Sequence, residues 1–268
     1  MQPPDRLSRR KRARQIVAAR LERLEDLSIG KLVPSSITLL ALCSGVTAIR
    51  FGLSDDWTTA VTFVIAAMIL DMLDGRAARM LGADSRFGAQ LDSLADLVSF
   101  GVAPGVIMYM WSLKAMGNPG WIAALIFCAC AAIRLARFNV ESVRDEGATK
   151  GNPYFTGLPT PAAACMMLLP LLISFQWSDG IVREPWVSGI FIAVTSVLMV
   201  SRIPTPSIKY MKLQRQYRVL AGLAFAVLAG LLIAWPWATL TIGLLIYVAS
   251  IPFAVVTHHP RYATKQAS

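Results

Sequence analysis

Four aspartates carry the chemistry that this sequence most clearly offers. The stretch from Asp71 to Gly101 reads DMLDGRAARMLGADSRFGAQLDSLADLVSFG. Its skeleton is Asp71-x-x-Asp74-Gly75-x-x-Ala78-Arg79, then eight residues, then Gly88-x-x-x-Asp92-x-x-x-Asp96. On helices the first pair is spaced i, i+3 and the second i, i+4, so each pair shares a face. Gly82, Ala83, Asp84 and Ser85 lie between them and suit a turn. The spacing therefore predicts two antiparallel helices on which four carboxylates converge. Gly75, Ala78 and Gly88 have almost no side chain and let a second helix or a substrate approach the backbone closely.

Such a gathering is unfavourable without counter-charge. A single carboxylate at the centre of a bilayer costs about 2.5–3.5 kcal/mol, and neighbouring ones repel each other besides. Arg79 and Arg86 cannot neutralise four aspartates. Divalent cations can, and an all-oxygen donor set suits hard ions such as Mg²⁺, Mn²⁺ or Ca²⁺. Two metals bridged by carboxylates form a clamp for displacement at phosphorus. Solvated acids at two helix ends would explain one Asp-x-x-Asp, but not this skeleton set between apolar spans. A cation transporter would place its carboxylates near mid-bilayer on broken helices. These lie at span ends, beside an arginine and glycines suited to phosphate.

The elements that must position the aspartates are membrane helices. Of the 268 residues, 55% are hydrophobic and only 16% charged, against about 25% charged in an ordinary soluble domain. The mean hydropathy is +0.54. Apolar segments lie near 34–53, 57–79, 91–112, 120–139, 159–176, 185–201, 218–235 and 237–256. The expectation is an all-α, polytopic membrane helical bundle of about eight transmembrane helices. Trp235-Pro236-Trp237 makes a tight, interface-seeking link between the last two. Residues 1–33 form a basic tail in which Leu7, Ile16, Val17, Leu21, Leu24 and Leu27 partly follow a helical period. This is read as an amphipathic cytoplasmic helix on anionic lipid, with a nucleic-acid-binding arm as the minor alternative. Residues 34–257 form the membrane domain and 258–268 a second tail.

The net charge of +10 is explained by topology rather than by nucleic acid. With eight spans, 23 Lys and Arg fall on one side; only Arg50, Lys114 and Arg183 fall on the other. Both termini and the aspartates are then cytoplasmic, in a bacterial-type inner membrane. Nucleotides and Mg²⁺ are available on that side. Cys43, Cys128, Cys130 and Cys165 sit in apolar runs and read as buried apolar residues. His258 and His259 fall in the polar C-terminal tail and carry no chemistry in this reading.

The complete skeleton, including the gap from Arg79 to Gly88, resembles the signature of the CDP-alcohol phosphatidyltransferase family. The resemblance implies a helical bundle, usually a homodimer, with two divalent metals at Asp71, Asp74, Asp92 and Asp96. It implies that CDP-diacylglycerol binds near Asp71, Asp74, Gly75, Ala78, Arg79, Ser85 and Gly88. It further implies that Asp96 takes the proton from an acceptor alcohol. One departure stands in the first span, Pro34-Ser35-Ser36-Ile37-Thr38: Ser35 occupies a place where family members often carry asparagine before a downstream threonine.

Outside the signature, DSLADLVSFGVAP at 92–104, RLARFNV at 134–140, GLPTPAAA at 157–164 and SRIPTPSIK at 201–209 are similar to the phosphatidylserine synthase branch of that family. The branch implies L-serine as acceptor, with choline, glycerol 3-phosphate or an inositol phosphate as alternatives elsewhere in the family. A serine carboxylate needs a cation. Arg134 and Arg137 are suitably placed; the alternative reading is that they anchor a helix end among headgroups. Asn139 and Ser99 offer neutral hydrogen bonds.

Overall fold

The computed structural model describes residues 29–83, 85–145, 155–177, 180–201, 204–205 and 218–263. The expected N-terminal amphipathic helix lies outside the described residues, as does most of the connection after the sixth expected span.

Helices α1 (Ile29–Leu53) and α2 (Trp57–Leu81) form an antiparallel hairpin. Asp55, with φ of 59°, turns the chain, and the Asp56 carboxylate caps α2 by accepting from the Thr59 N–H at 3.1 Å. The third span combines α3 (Arg86–Asp96), a π-helical stretch (Leu97–Val102) and α4 (Ala103–Trp111). The Ala103 N–H donates to the Val98 carbonyl, which is the i to i−5 bond of a π turn. Next come α5 (Asn118–Asp145), α6 (Thr160–Ser174), α7 (Pro185–Val200), α8 (Arg218–Ala234) and α9 (Pro236–Ala263). Two-residue strands at Phe155–Thr156 and Pro204–Thr205 pair antiparallel and tie the entry of α6 to the exit of α7. The body is otherwise helical, as the apolar periodicity predicts.

Among the described residues, four helices are long and apolar enough to cross a membrane: Leu32–Leu53, Trp57–Leu81, Phe87–Trp111 and Asn118–Glu141. The apolar helices Thr160–Ser174, Pro185–Val200, Gly222–Ala234 and Pro236–Ser250 are shorter. A 15-residue helix such as α6 rises only about 22 Å, against roughly 30 Å of hydrocarbon. The last helix runs to Ala263, past the expected domain end at 257. Helical hydrogen bonding does not stop where the apolar run stops.

The helices are apolar on both faces. Phe100, Ile107, Met108, Phe127, Met167 and Leu171 are fully enclosed. Leu40, Val46, Ile69, Ile126, Val197 and Leu228 point outward and are exposed. A bundle apolar both inside and outside is solvated by lipid rather than water. Small residues set the helix spacing: Ala48, Ala60, Ala67, Ala131, Ala163 and Ala164 are all completely buried. A close approach occurs at Gly45 on α1, where an added Cβ would stand 2.7 Å from the Ser99 Cα on the π stretch. This places the third span tightly beside the α1–α2 hairpin.

Candidate metal and phosphate site

The turn between α2 and α3 has the construction its residues predict. Gly82 closes α2 in the left-handed conformation at φ 57°, and its N–H donates to the Ala78 carbonyl. Ser85 caps α3: its Oγ accepts from the Gly88 N–H at 3.0 Å. These two caps bring the end of α2 and the start of α3 together.

The carboxylates of Asp71, Asp74 and Asp92 converge, each offering an oxygen within 4.8 Å of the others. Asp96, one turn further along α3, comes within hydrogen-bonding reach of Asp71. Asp71 is thus the hub where the pair on α2 meets the pair on α3. Oxygens bound to one hard cation at about 2.1–2.4 Å each lie no more than about 4.8 Å apart. The spacing, the oxygen-only donors and the mutual repulsion all fit a divalent cation.

Asp74 is the least exposed of the set, with 4% of its surface accessible. The Thr38 hydroxyl on α1 lies 2.6 Å from its Oδ2 and 3.0 Å from the Pro34 carbonyl. A hydroxyl has one proton, and the shorter, carboxylate partner is the stronger acceptor. Thr38 is absent from the residue set that the spacing of the aspartates picks out. The available signal was its place one turn after Pro34 in the first apolar run.

The residues expected around CDP-diacylglycerol line the same end of the hairpin. Gly75 is exposed, and nothing lies within 4 Å of where its Cβ would be. Helix packing therefore does not require a glycine here, and the backbone at this point is open. Arg79 is exposed, and its Nε donates to the Gly75 carbonyl at 2.9 Å. Ala78 is half-buried. At the cap, a Cβ on Gly88 would come 3.1 Å from the Ser85 Oγ, so the capping hydroxyl would have to shift slightly.

Helix α5 forms the other wall. Cys128 Sγ donates to the Gly101 carbonyl at 3.4 Å, and Ser93 Oγ donates to Asn139 Oδ1 at 3.0 Å. This antiparallel register sets Arg134 across from the part of the third span that begins at Asp96. Asp96 lies within electrostatic range of Arg134. Arg134 Nη1 donates to Thr160 Oγ1 on α6 at 2.8 Å, while its buried Nε has no partner among the described residues.

The other expected acceptor residues are engaged between helices. Arg137 Nη1 donates to the Val200 carbonyl at the end of α7, at 2.9 Å. Asn139 accepts from Ser93. Ser99 is 1% exposed and donates to the Ala41 carbonyl at 3.2 Å. That hydroxyl satisfies a helix–helix contact opposite Gly45 rather than facing the aspartates. None of these three bonds could be read from the sequence, because all depend on the register of one helix against another.

A family model described as CDP-alcohol phosphatidyltransferase matches residues 31–201, and one described as CDP-alcohol phosphatidyltransferase 2 matches residues 216–252. The CDP-diacylglycerol–serine O-phosphatidyltransferase of Mycobacterium leprae is 37% identical over 234 residues, covering 87% of this chain and 76% of its own length. The Helicobacter pylori (strain 26695) protein of the same name is 37% identical over 184 residues, or 68% of this chain and 74% of its own. That of Bacillus subtilis is 36% identical over 178 residues, or 66% of this chain and 91% of its own.

Proposed function

Because the chain belongs to the CDP-alcohol phosphatidyltransferase family, we propose that it transfers the phosphatidyl group of CDP-diacylglycerol to the hydroxyl of L-serine, giving phosphatidylserine and CMP. The observation that carries the reaction is the convergence of Asp71, Asp74 and Asp92 within 4.8 Å, with Asp96 against Asp71. The choice of serine is supported by the names of the relatives and by Arg134, a cation suited to a carboxylate and within electrostatic range of Asp96.

Asp71, Asp74, Asp92 and Asp96 would hold two divalent cations, Mg²⁺ or Mn²⁺, whose charge when bound offsets that of the pyrophosphate and of the departing CMP. The open backbone at Gly75 admits the CDP group, and Arg79 offers its remaining guanidinium donors to phosphate. Asp96 accepts the proton of the serine hydroxyl. The serine oxygen then bonds to the phosphorus bearing diacylglycerol. The bond from that phosphorus to the CMP oxygen breaks, and CMP departs with the electron pair. Buried Asp74, fixed by Thr38, keeps the carboxylate set in place.

The proposal includes eight spans, a bacterial-type inner membrane, cytoplasmic termini and a cytoplasmic site. The 23-to-3 division of basic residues supports it. It also includes one membrane domain at 34–257 with tails at 1–33 and 258–268, and a homodimer as in the family it resembles. The test is incorporation of isotope-labelled L-serine into lipid by purified protein supplied with CDP-diacylglycerol and Mg²⁺ or Mn²⁺. Labelled phosphatidylserine, absent when CDP-diacylglycerol is omitted, is expected. No labelled lipid from folded protein would overturn the assignment.

A further inference from the structure

We infer that Thr160 is a positioning residue for the acceptor: its hydroxyl fixes the Arg134 guanidinium so that the Nε edge is presented to the carboxylate of the amino-acid acceptor. The inference rests on the serine reading above and adds a residue and a geometry to it.

Arginine has five N–H groups in a rigid plane. In Arg134, Nη1 donates to Thr160 Oγ1 at 2.8 Å. Nε is shielded from solvent and has no partner among the described residues. A buried donor on a charged group is costly to leave unpaired, so the site is built to have it filled. Nε shares an edge of the guanidinium with Nη2, and that edge binds a carboxylate through two parallel N–H···O bonds. Thr160 occupies the other terminal nitrogen. The hydrogen bond therefore fixes the rotation of the plane and leaves the two-pronged edge for a ligand.

The placement of Thr160 is itself rigid. It is completely buried and begins α6 between Pro159 and Pro161. Just upstream, Gly157 has φ of +83°, and a Cβ there would stand 2.8 Å from the Ser201 carbonyl oxygen. The Leu158 N–H donates to the Leu198 carbonyl at 3.4 Å. The chain thus enters α6 along a path held by the end of α7. Other groups bound the same region: Asp96 on α3 and Tyr247 on α9 lie within electrostatic range of Arg134. Arg137 is tied to the end of α7 through Nη1 on the Val200 carbonyl, whereas the buried donor without a partner among the described residues belongs to Arg134.

The test uses the full chain in lipid nanodiscs with CDP-diacylglycerol. Steady-state kinetics are measured for wild type, Thr160→Val and Thr160→Ser, with thermal unfolding of each. Valine keeps the shape and removes the hydroxyl; serine keeps the hydroxyl. Losing a hydrogen bond to a charged group predicts a rise of about tenfold or more in the KM for L-serine in Thr160→Val. The KM for CDP-diacylglycerol and the rate at saturating serine should each move less than about threefold, and Thr160→Ser should restore the serine KM. A wild-type serine KM in Thr160→Val would overturn the inference. So would a loss shared equally by serine and CDP-diacylglycerol, or a Thr160→Ser as impaired as the valine variant. If Thr160→Val does not fold, Thr160→Ser decides: a serine KM raised as much as tenfold in a protein that retains the hydroxyl contradicts the proposal. Absence of any serine-dependent turnover in wild type would instead overturn the serine reading itself.

Discussion

Thr38 on α1 is hydrogen-bonded to Asp74 on α2 at 2.6 Å, in a part of the bundle where both residues are buried. The bond links the first span to the carboxylate cluster. It satisfies one lone pair of an anion that has little water around it. The same carboxylate offers an oxygen within 4.8 Å of those of Asp71 and Asp92.

Removing that link should weaken metal binding more than it weakens the fold. Partners behind a metal ligand typically contribute 10- to 100-fold in metal affinity or activity. Thr38→Val is expected to raise the Mg²⁺ or Mn²⁺ concentration for half-maximal activity by about tenfold, with partial recovery at high metal. Metal titrations of the two proteins check this. An unchanged titration curve would mean that Thr38 does not hold a metal ligand.

Asp96→Asn keeps the size of the side chain and removes the base. General-base groups typically contribute 10²- to 10⁴-fold, so turnover should fall by at least about a hundredfold. CDP-lipid binding should remain measurable by calorimetry or by quenching of intrinsic tryptophan fluorescence. Near-normal turnover would move the proton acceptor to another residue.

Chelation should abolish activity, and Mg²⁺ or Mn²⁺ should restore it. Asp71→Asn lies at the hub of the cluster and should affect metal requirement and turnover together, by about tenfold or more each. Activity that survives exhaustive chelation would contradict the assignment of the aspartates as metal ligands.

Gly45→Ala should destabilise the protein. The new Cβ would meet Ser99 Oγ, Cα and Cβ at 2.5–2.8 Å. Overpacking of this kind costs typically about 1–3 kcal/mol, which lowers the melting temperature by roughly 2–10 °C in a chain of this size. Because the backbone Cα itself stands at 2.7 Å, adding Ser99→Gly should not rescue it. Recovery in the double variant would show that the helices can part and that the close approach is not fixed by backbone.

Much of this organisation is legible in the sequence. The apolar runs coincide with helices, and Gly82 and Ser85 close one and open the next as their types predict. The i, i+3 and i, i+4 spacings place Asp71, Asp74, Asp92 and Asp96 together because helical periodicity alone decides which face they share. The π stretch after Asp96 has no signature in residue type. Thr38, Thr160 and the engagement of Ser99 with Ala41 depend on which helices adjoin and in what register. A pattern within one helix does not contain that information. Arg134 and Arg137 show the limit clearly: three residues apart on one helix, they reach different partners on different helices.

The most direct measurement is CMP release by purified protein given CDP-diacylglycerol and Mn²⁺ or Mg²⁺, with L-serine, choline, glycerol 3-phosphate and an inositol phosphate supplied in turn. The account predicts rapid release with L-serine, little with the others, and none with serine in Asp96→Asn. Release with choline or a phosphorylated alcohol but not with serine, or equal release by Asp96→Asn, would contradict it.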